Sequence, residues 1–261
     1  MEIEFIRNAT LILRFDGKAV LVDPMLANKG AMPSFSFFRH KAVRNPTVPL
    51  PKGARASLNG VTHALITHCQ RGHADHLDRA GVKFLRDNQT PTYCREEDAA
   101  FLKKRGINPL PLATNSRQEF LGGFITPIPA RHGHGWISSL MGRGVGYLIE
   151  PKDHPSVYIA GDTVLTDDVR NTLTTHAPDI AIVAAGNASV DIGKPILMSL
   201  DEVMEFAAIA PGIVVANHLE ALNHCPMTRL EVSKAAALAG LDHKIRIPKD
   251  GEIISFGSTH Q

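Results

Sequence analysis

Apolar strands in this chain repeatedly stop at a side chain that can bind a metal ion. Ala19-Val20-Leu21-Val22 runs into Asp23, and Ala64-Leu65-Ile66-Thr67 runs into His68. Phe124 to Ile128 leads to Pro129-Ala130-Arg131-His132, Ser156 to Ala160 to Gly161-Asp162, and Ile213-Val214-Val215-Ala216 to Asn217-His218. Strands of a sheet present their ends along one edge, so side chains at those ends converge in space. Any one case has a dull explanation. A lone His after a strand is commonly a surface or capping residue, and Asp23 is either a turn residue or a functional carboxylate. Five strands ending this way independently is much harder to explain than a shared metal cluster.

The densest piece is Thr67 to Asp78, which packs His68, His73, His76, Asp75 and Asp78 into twelve residues. With no thiolate clearly placed, the donors are imidazole nitrogen and carboxylate oxygen. That set suits zinc first, with manganese or iron as alternatives, and disfavours a Cys-rich structural zinc site. His68, His73, Asp75, His76, His132, Asp162 and His218 make seven candidates, more than the three or four that one catalytic zinc uses. Two divalent ions ~3.5–4 Å apart, bridged by a carboxylate and a water, would use them all, and the chemistry that follows is hydrolysis.

Composition narrows the remaining classes. Twenty-eight basic and 26 acidic side chains leave a net charge of +2, no footprint for nucleic acid. No apolar run approaches the ~18–20 residues of a membrane span, and no apolar segment follows a basic N-terminus. Cys69, Cys94 and Cys225 are three, without a close pair, which fits a reducing compartment. The expectation is a soluble, unexported, cytoplasmic protein.

Along the chain, Glu2 to Ile6, Leu11 to Phe15 and Ala19 to Val22 read as strands, with Asp16-Gly17 as a hairpin turn. Residues 27–60 lack periodicity and carry Pro33, Pro46, Pro49 and Pro51, so a long loop is expected. Its Phe35, Phe37 and Phe38 either pin the loop to the body or form a substrate wall or subunit contact. From residue 61 strands alternate with helices, among them helices over 79–88, 96–105, 166–175, 199–210 (Ser199 capping, Glu202 three residues on) and 228–239. Two similar halves, each strand-rich at its start, indicate a layered α/β sandwich rather than a doubly wound parallel sheet.

These residues resemble the metallo-β-lactamase superfamily, and within it the branch that includes ascorbate-6-phosphate lactonase. The likeness runs through Asn8-Ala9-Thr10, Leu21-Val22-Asp23-Pro24, Ile66-Thr67-His68, His73-Ala74-Asp75-His76-Leu77-Asp78, Pro129-Ala130-Arg131-His132, Gly161-Asp162-Thr163 and Asn217 to Cys225. It implies a single domain over 1–261 with a four-layer αββα fold. It also implies roles: His68, His73 and His132 at a first metal, Asp75, His76 and His218 at a second, and Asp162 between them. Asp23 would stand behind the ligands and orient one of them, and Asp75 would hold the proton of the attacking water.

Two departures from the family pattern matter. The first two histidines of the family lie two residues apart, a register that puts Arg71 where His is expected and leaves three extra residues between His68 and His73. Either His68 still reaches the metal because the loop bulges at Gly72, or a ligand is lost, with Cys69 as a substitute. The second departure is Asn8, where relatives often carry His. Around the site, His224 is a candidate general acid, and Arg131, His134, Asn187 and Asn223 are candidates for substrate binding, Arg131 as a phosphate or carboxylate clamp.

The expected function is hydrolysis of a small-molecule ester, lactone or phosphoester, in a protein for which a homo-oligomer is compatible. The rivals are a phosphodiesterase or nuclease of the same superfamily, and a degenerate member that binds without turnover.

Overall fold

Strands with apolar side chains on both faces can only sit between two covering layers. In β2 (Thr10–Phe15), Leu11, Leu13 and Phe15 face one cluster of buried side chains and Ile12 faces another. In β3 (Lys18–Val22), Val20 and Val22 turn one way, Ala19 and Leu21 the other. The hairpin between them turns on Asp16 and Gly17, both left-handed at φ 46° and 68°. The computed structural model describes residues 1–70 and 72–257.

Around this hairpin a first seven-stranded sheet forms. It adds β1 (Glu2–Arg7), β4 (His63–Ile66), β5 (Pro91–Arg95), β6 (Asn108–Leu112) and, from late in the chain, β14 (Glu252–Ser255), in the order β14-β1-β2-β3-β4-β5-β6. The second sheet has β7 (Gln118–Phe120), β8 (Gly123–Arg131), β9 (Arg143–Glu150), β10 (Val157–Ile159), β11 (Ile180–Ala184), β12 (Ile213–Asn217) and β13 (Ile245–Arg246), in the order β13-β12-β11-β10-β9-β8-β7. Each sheet is antiparallel on one side and parallel on the other, the switch falling at β3 and β10.

Three apolar layers hold the sandwich together. Between the sheets, Leu13, Val22 and Leu65 meet Val145, Tyr147, Ile182 and Val215. Outside the first sheet lie α1 (Ala54–Asn59), α2 (Arg79–Asp87) and α3 (Glu96–Lys103), which bury Leu58, Leu85 and Leu102. Outside the second lie α5 (Asp167–Asn171), α6 (Leu200–Ile209) and α7 (Arg229–Leu238), which bury Val169, Phe206 and Val232. The order helix, sheet, sheet, helix is the αββα arrangement expected. Ser199 and Thr228 cap α6 and α7 with reciprocal Glu202 and Glu231 bonds. No helix among the described residues is long and apolar enough to cross a membrane.

Four elements escape the sequence pattern. The 27–60 segment contains α1. β6 is an edge strand whose Pro109 and Pro111 hide it, since proline is tolerated in a sheet only where no partner needs its N–H. β7 is three residues long, and α4 (Ile137–Met141) is a short helix ahead of Gly142 at φ 81°. The helix expected over 166–175 changes character, with α5 passing into one π-helical turn, Thr172–His176.

Candidate metal centre

Strand ends of both sheets deliver the candidate side chains to one edge. Asp23 follows β3 at φ 44°, His68 lies just beyond β4, and His132 directly follows β8. Asp162 follows β10 after Gly161, whose φ of 67° and 2.8 Å clearance from the Val145 carbonyl leave no room for a Cβ. His218 follows β12 at φ 59°. The loop after His68 brings in His73, Asp75 and His76, then ends at Asp78, whose carboxylate caps α2 through Gly81 N at 2.7 Å. All seven ligand candidates and Asp23 are buried.

They fall into two groups. His68, His73 and His132 form one, and Asp75, His76, Asp162 and His218 the other, each with its donor atoms within 4.8 Å of one another. The rings of the first group stand 4.4 to 4.8 Å apart in a triangle. Asp162 lies between the groups, its Oδ2 3.6 Å from His132 Nε2, 3.1 Å from His76 Nε2 and 3.6 Å from His218 Nε2. His68 therefore joins the first group despite the extra residues, and Gly72 in that loop is left-handed at φ 87°. Arg71 lies outside the described residues. Cys69 is not a substitute: it packs with Leu77, Leu85 and Cys94 beneath α2, where burial pushes its thiol up.

The nitrogens of His68, His73, His76 and His218 that are turned away from the centre are held individually. Asp23 Oδ2 accepts from His76 Nδ1 at 2.8 Å and from Thr67 Oγ1 at 2.6 Å, while its Oδ1 accepts from Thr67 N. Thr67 Oγ1 lies 3.0 Å from His68 Nδ1. His73 Nε2 bonds the Met141 carbonyl at 2.8 Å, and Cys225 Sγ sits 3.4 Å from His218 Nδ1. Asn8 Nδ2 donates to the Asp75 carbonyl, and the Asn8 carbonyl accepts from His218 N, so one residue ties both ligand-bearing segments to the β1–β2 turn.

By contrast, Nε2 of His68, His76, His132 and His218, Nδ1 of His132 and Oδ1 of Asp162 are buried with no hydrogen-bond partner among the described residues. Such atoms cost about 1–3 kcal/mol each when nothing satisfies them. The four Nε2 atoms and the carboxylate oxygen left bare at one spot, with the far nitrogens of His68, His76 and His218 fixed, fit a divalent cation.

Charge divides the groups further. Burial first, then the neighbouring imidazoles of His76, His73 and His132, hold His68 well below the ordinary histidine range. His73 is lowered as well, mainly by burial. Burial also opposes charge on His76, but the Asp162, Asp23 and Asp75 carboxylates outweigh it and raise the ring well above its usual value. His218 is raised in the same way, with Asp162 foremost against burial. Burial would raise Asp75 and Asp162, yet His76 above all holds both below the usual carboxylate range.

The remaining candidates divide. His224 is buried with Nε2 3.9 Å from Asp75 Oδ2, and Phe35 stands edge-on to its ring at 5.2 Å. Asn187 is left-handed at φ 47°, with Oδ1 buried and unpaired among the described residues. The other three point elsewhere. Arg131 is exposed, because the alternation that turns His132 inward turns its neighbour outward. It lines a cavity of about 680 Å³ with Arg143, Asp167 and Asp168. His134 is half exposed and pairs with Glu202 at 3.2 Å. The Asn223 amide is taken up by the 34–45 segment: it accepts from Phe35 N and Asn45 Nδ2 and donates to Ser34 Oγ and the Ser36 carbonyl. That segment is why Phe35 faces His224, whereas Phe37 and Phe38 are exposed. Sequence reasoning missed Thr67, Cys225 and the Met141 carbonyl. The first two adjoin named histidines and were within reach, but a backbone carbonyl leaves no trace in sequence.

Known proteins are similar to this chain in sequence and fold. Residues 18–219 match the family described as the Beta-lactamase superfamily domain. A Bacillus subtilis relative, UPF0173 protein YddR, is 31% identical over 259 residues, 98% of this chain and 100% of its own length. A UPF0173 metal-dependent hydrolase of Azorhizobium caulinodans is 27% identical over 97% of this chain and 98% of its own. The crystal structure of an isothiocyanate hydrolase from Delia radicum gut bacteria superposes with a TM-score of 0.89 at 32% identity, covering 98% of this chain and 99% of that one. With two seven-stranded sheets, a ligand-rich edge and these matches, the chain belongs to the beta-lactamase superfamily.

Proposed function

We propose that this metal-dependent hydrolase works with two divalent ions, zinc before manganese or iron, and acts on a small molecule with an uncharged electrophilic carbon. His68, His73 and His132 would hold one ion, Asp75, His76 and His218 the other, and Asp162 would be shared. The observation that carries this reading is the set of bare, buried ring nitrogens aimed at one spot. Bound there, the ions would bring an activated water and Lewis acidity at the electrophile.

The chain's own groups would do the rest. Asp75 Oδ2 lies 3.7 Å from His218 Nε2 and 3.9 Å from His224 Nε2, so it can take the proton of the attacking water with His224 beside it as donor to the leaving group. Phe35, Ala74, Ile137, Met141 and Val190 belong to one apolar cluster beside these groups and would exclude bulk water.

That lining favours an uncharged substrate. Among the described residues no Lys or Arg pairs with Asp75 or Asp162, and Arg131 faces a different cavity. An isothiocyanate, the substrate class named for the solved neighbour, is uncharged and electrophilic at its central carbon, as are esters and lactones. A phosphoester, whose remaining anionic oxygens would call for a Lys or Arg beside the ions, fits less well.

The test is elemental analysis of the purified protein together with hydrolysis of isothiocyanate, lactone, ester and phosphodiester panels. About two ions per chain and turnover of an uncharged substrate are expected. A protein that takes up no divalent ion, or cleaves phosphodiesters alone, would overturn this reading.

A further inference from the structure

The sulfur of Cys225 stands between two imidazoles that face the same carboxylate. Sγ lies 3.4 Å from His218 Nδ1 and 3.9 Å from His224 Nδ1, within reach of sulfur hydrogen bonds. On their other sides, His218 Nε2 and His224 Nε2 both approach Asp75 Oδ2, at 3.7 and 3.9 Å. All three residues are buried. Gly186 packs close beside the sulfur and leaves no room for a side chain there: a Cβ would come within 3.3 Å of Sγ and 2.2 Å of the His218 carbonyl.

A neutral imidazole has one N–H donor and one bare acceptor, and the bond made by one nitrogen decides the state of the other. A thiol both donates and accepts. We propose that Cys225 is a positioning residue that fixes both rings at once, accepting from His218 Nδ1–H and donating its S–H to His224 Nδ1. His218 Nε2 is then bare and turned to the ligand cluster, as a metal-facing nitrogen must be. His224 carries its proton on Nε2, turned to Asp75; as that proton passes to the leaving group, the Cys225 S–H proton moves to Nδ1, so the ring stays neutral and the sulfur is left as thiolate.

Asp23 shows why a carboxylate would not serve here. It only accepts, from His76 Nδ1 and Thr67, and so can fix a metal-facing ring but not the opposite tautomer. A carboxylate between His218 and His224 would draw both protons to Nδ1 and leave His224 without one to give. A serine hydroxyl has the right chemistry but a shorter bond to Cβ and shorter hydrogen bonds, too short to span both rings.

This inference rests on the metallohydrolase reading, and its test separates the two. Long-range ¹H–¹⁵N correlation on zinc-loaded, ¹⁵N-histidine-labelled protein reads which nitrogen of each ring carries the proton. The expected result is Nδ1–H on His218 and Nε2–H on His224. Cys225→Ala should scramble the His224 tautomer, weaken the second ion about 10–100-fold and lower kcat with KM little changed. Cys225→Asp should keep the ion yet move the His224 proton to Nδ1 and lower kcat. A wild-type His224 protonated on Nδ1, as an ionised sulfur would impose, overturns the assignment and needs no variant to fold. So does a folded Cys225→Ala protein with both tautomers and its metal affinity unchanged. If wild type takes up no divalent ion, the hydrolase reading fails, while the His224 tautomer can still be read in the metal-free protein at a pH where both rings are neutral.

Discussion

Around His68, His73 and His132 there is no carboxylate belonging to the group, whereas Asp75 and Asp162 stand inside the other, 3.1 to 3.8 Å from His76 and His218. The second group can balance its own charge by moving protons from carboxyl to imidazole, which is why its rings are raised and its carboxylates lowered. The first cannot, and burial leaves His68 neutral with its Nε2 bare. The contrast separates two tasks. One half attracts a cation by charge, and the other recognises it by ring nitrogens alone. The ion of the carboxylate-bearing group should therefore bind first in a titration of the metal-free protein.

The strongest way to break this comparison is to remove the side chain both halves share. Asp162→Ala should abolish tight binding of both ions and lower kcat/KM about a thousandfold, roughly 4 kcal/mol of barrier. Elemental analysis and turnover check it. Retention of two ions would mean that Asp162 does not link the groups. His68→Ala should be milder and one-sided: about one ion lost, the first titration step kept, and activity down roughly a hundredfold, near 2.7 kcal/mol. Two ions remaining after His68→Ala would show that the extra residues before His73 do take His68 out of the metal set.

How the halves were visible in sequence differs in an instructive way. Asp23, His68, His132, Asp162 and His218 could be read because each ends an apolar strand, and a sheet edge is a place that sequence marks clearly. The alternating apolar runs likewise marked the central strands of both sheets. What stayed hidden was set by tertiary contact. Arg131 and His134 are one and two positions from His132, yet the first lines another cavity and the second pairs with Glu202. The Met141 carbonyl and the Asn8 backbone act through atoms every residue possesses. β6 was masked by two prolines that only an edge position tolerates.

Asp23 sharpens the comparison from behind. It orients His76 through Nδ1 and reaches His68 only by way of the Thr67 hydroxyl. Asp23→Asn should weaken the ion of the carboxylate-bearing group about 10–100-fold and the other less, measured as two dissociation constants. Equal weakening of both would mean that Thr67 carries the effect across, and that the halves are one unit.

The smallest expected effect lies outside both groups. Asn223 looked like a substrate contact in sequence, but its amide ties Phe35 N, Asn45, Ser34 and Ser36 together. In Asn223→Ala the partly buried groups of that segment lose their partner, which costs about 1–2 kcal/mol and should lower Tm by roughly 2–8 °C in a chain of this size. Both ions should remain, because no ligand candidate bonds this amide. Phe35 would pack less firmly on His224, so KM should rise more than kcat falls. Thermal unfolding, metal content and steady-state kinetics on one preparation decide the matter. Loss of metal with Tm unchanged would place Asn223 at the centre itself, and the boundary drawn here between the ligand groups and the segment that covers them would have to move.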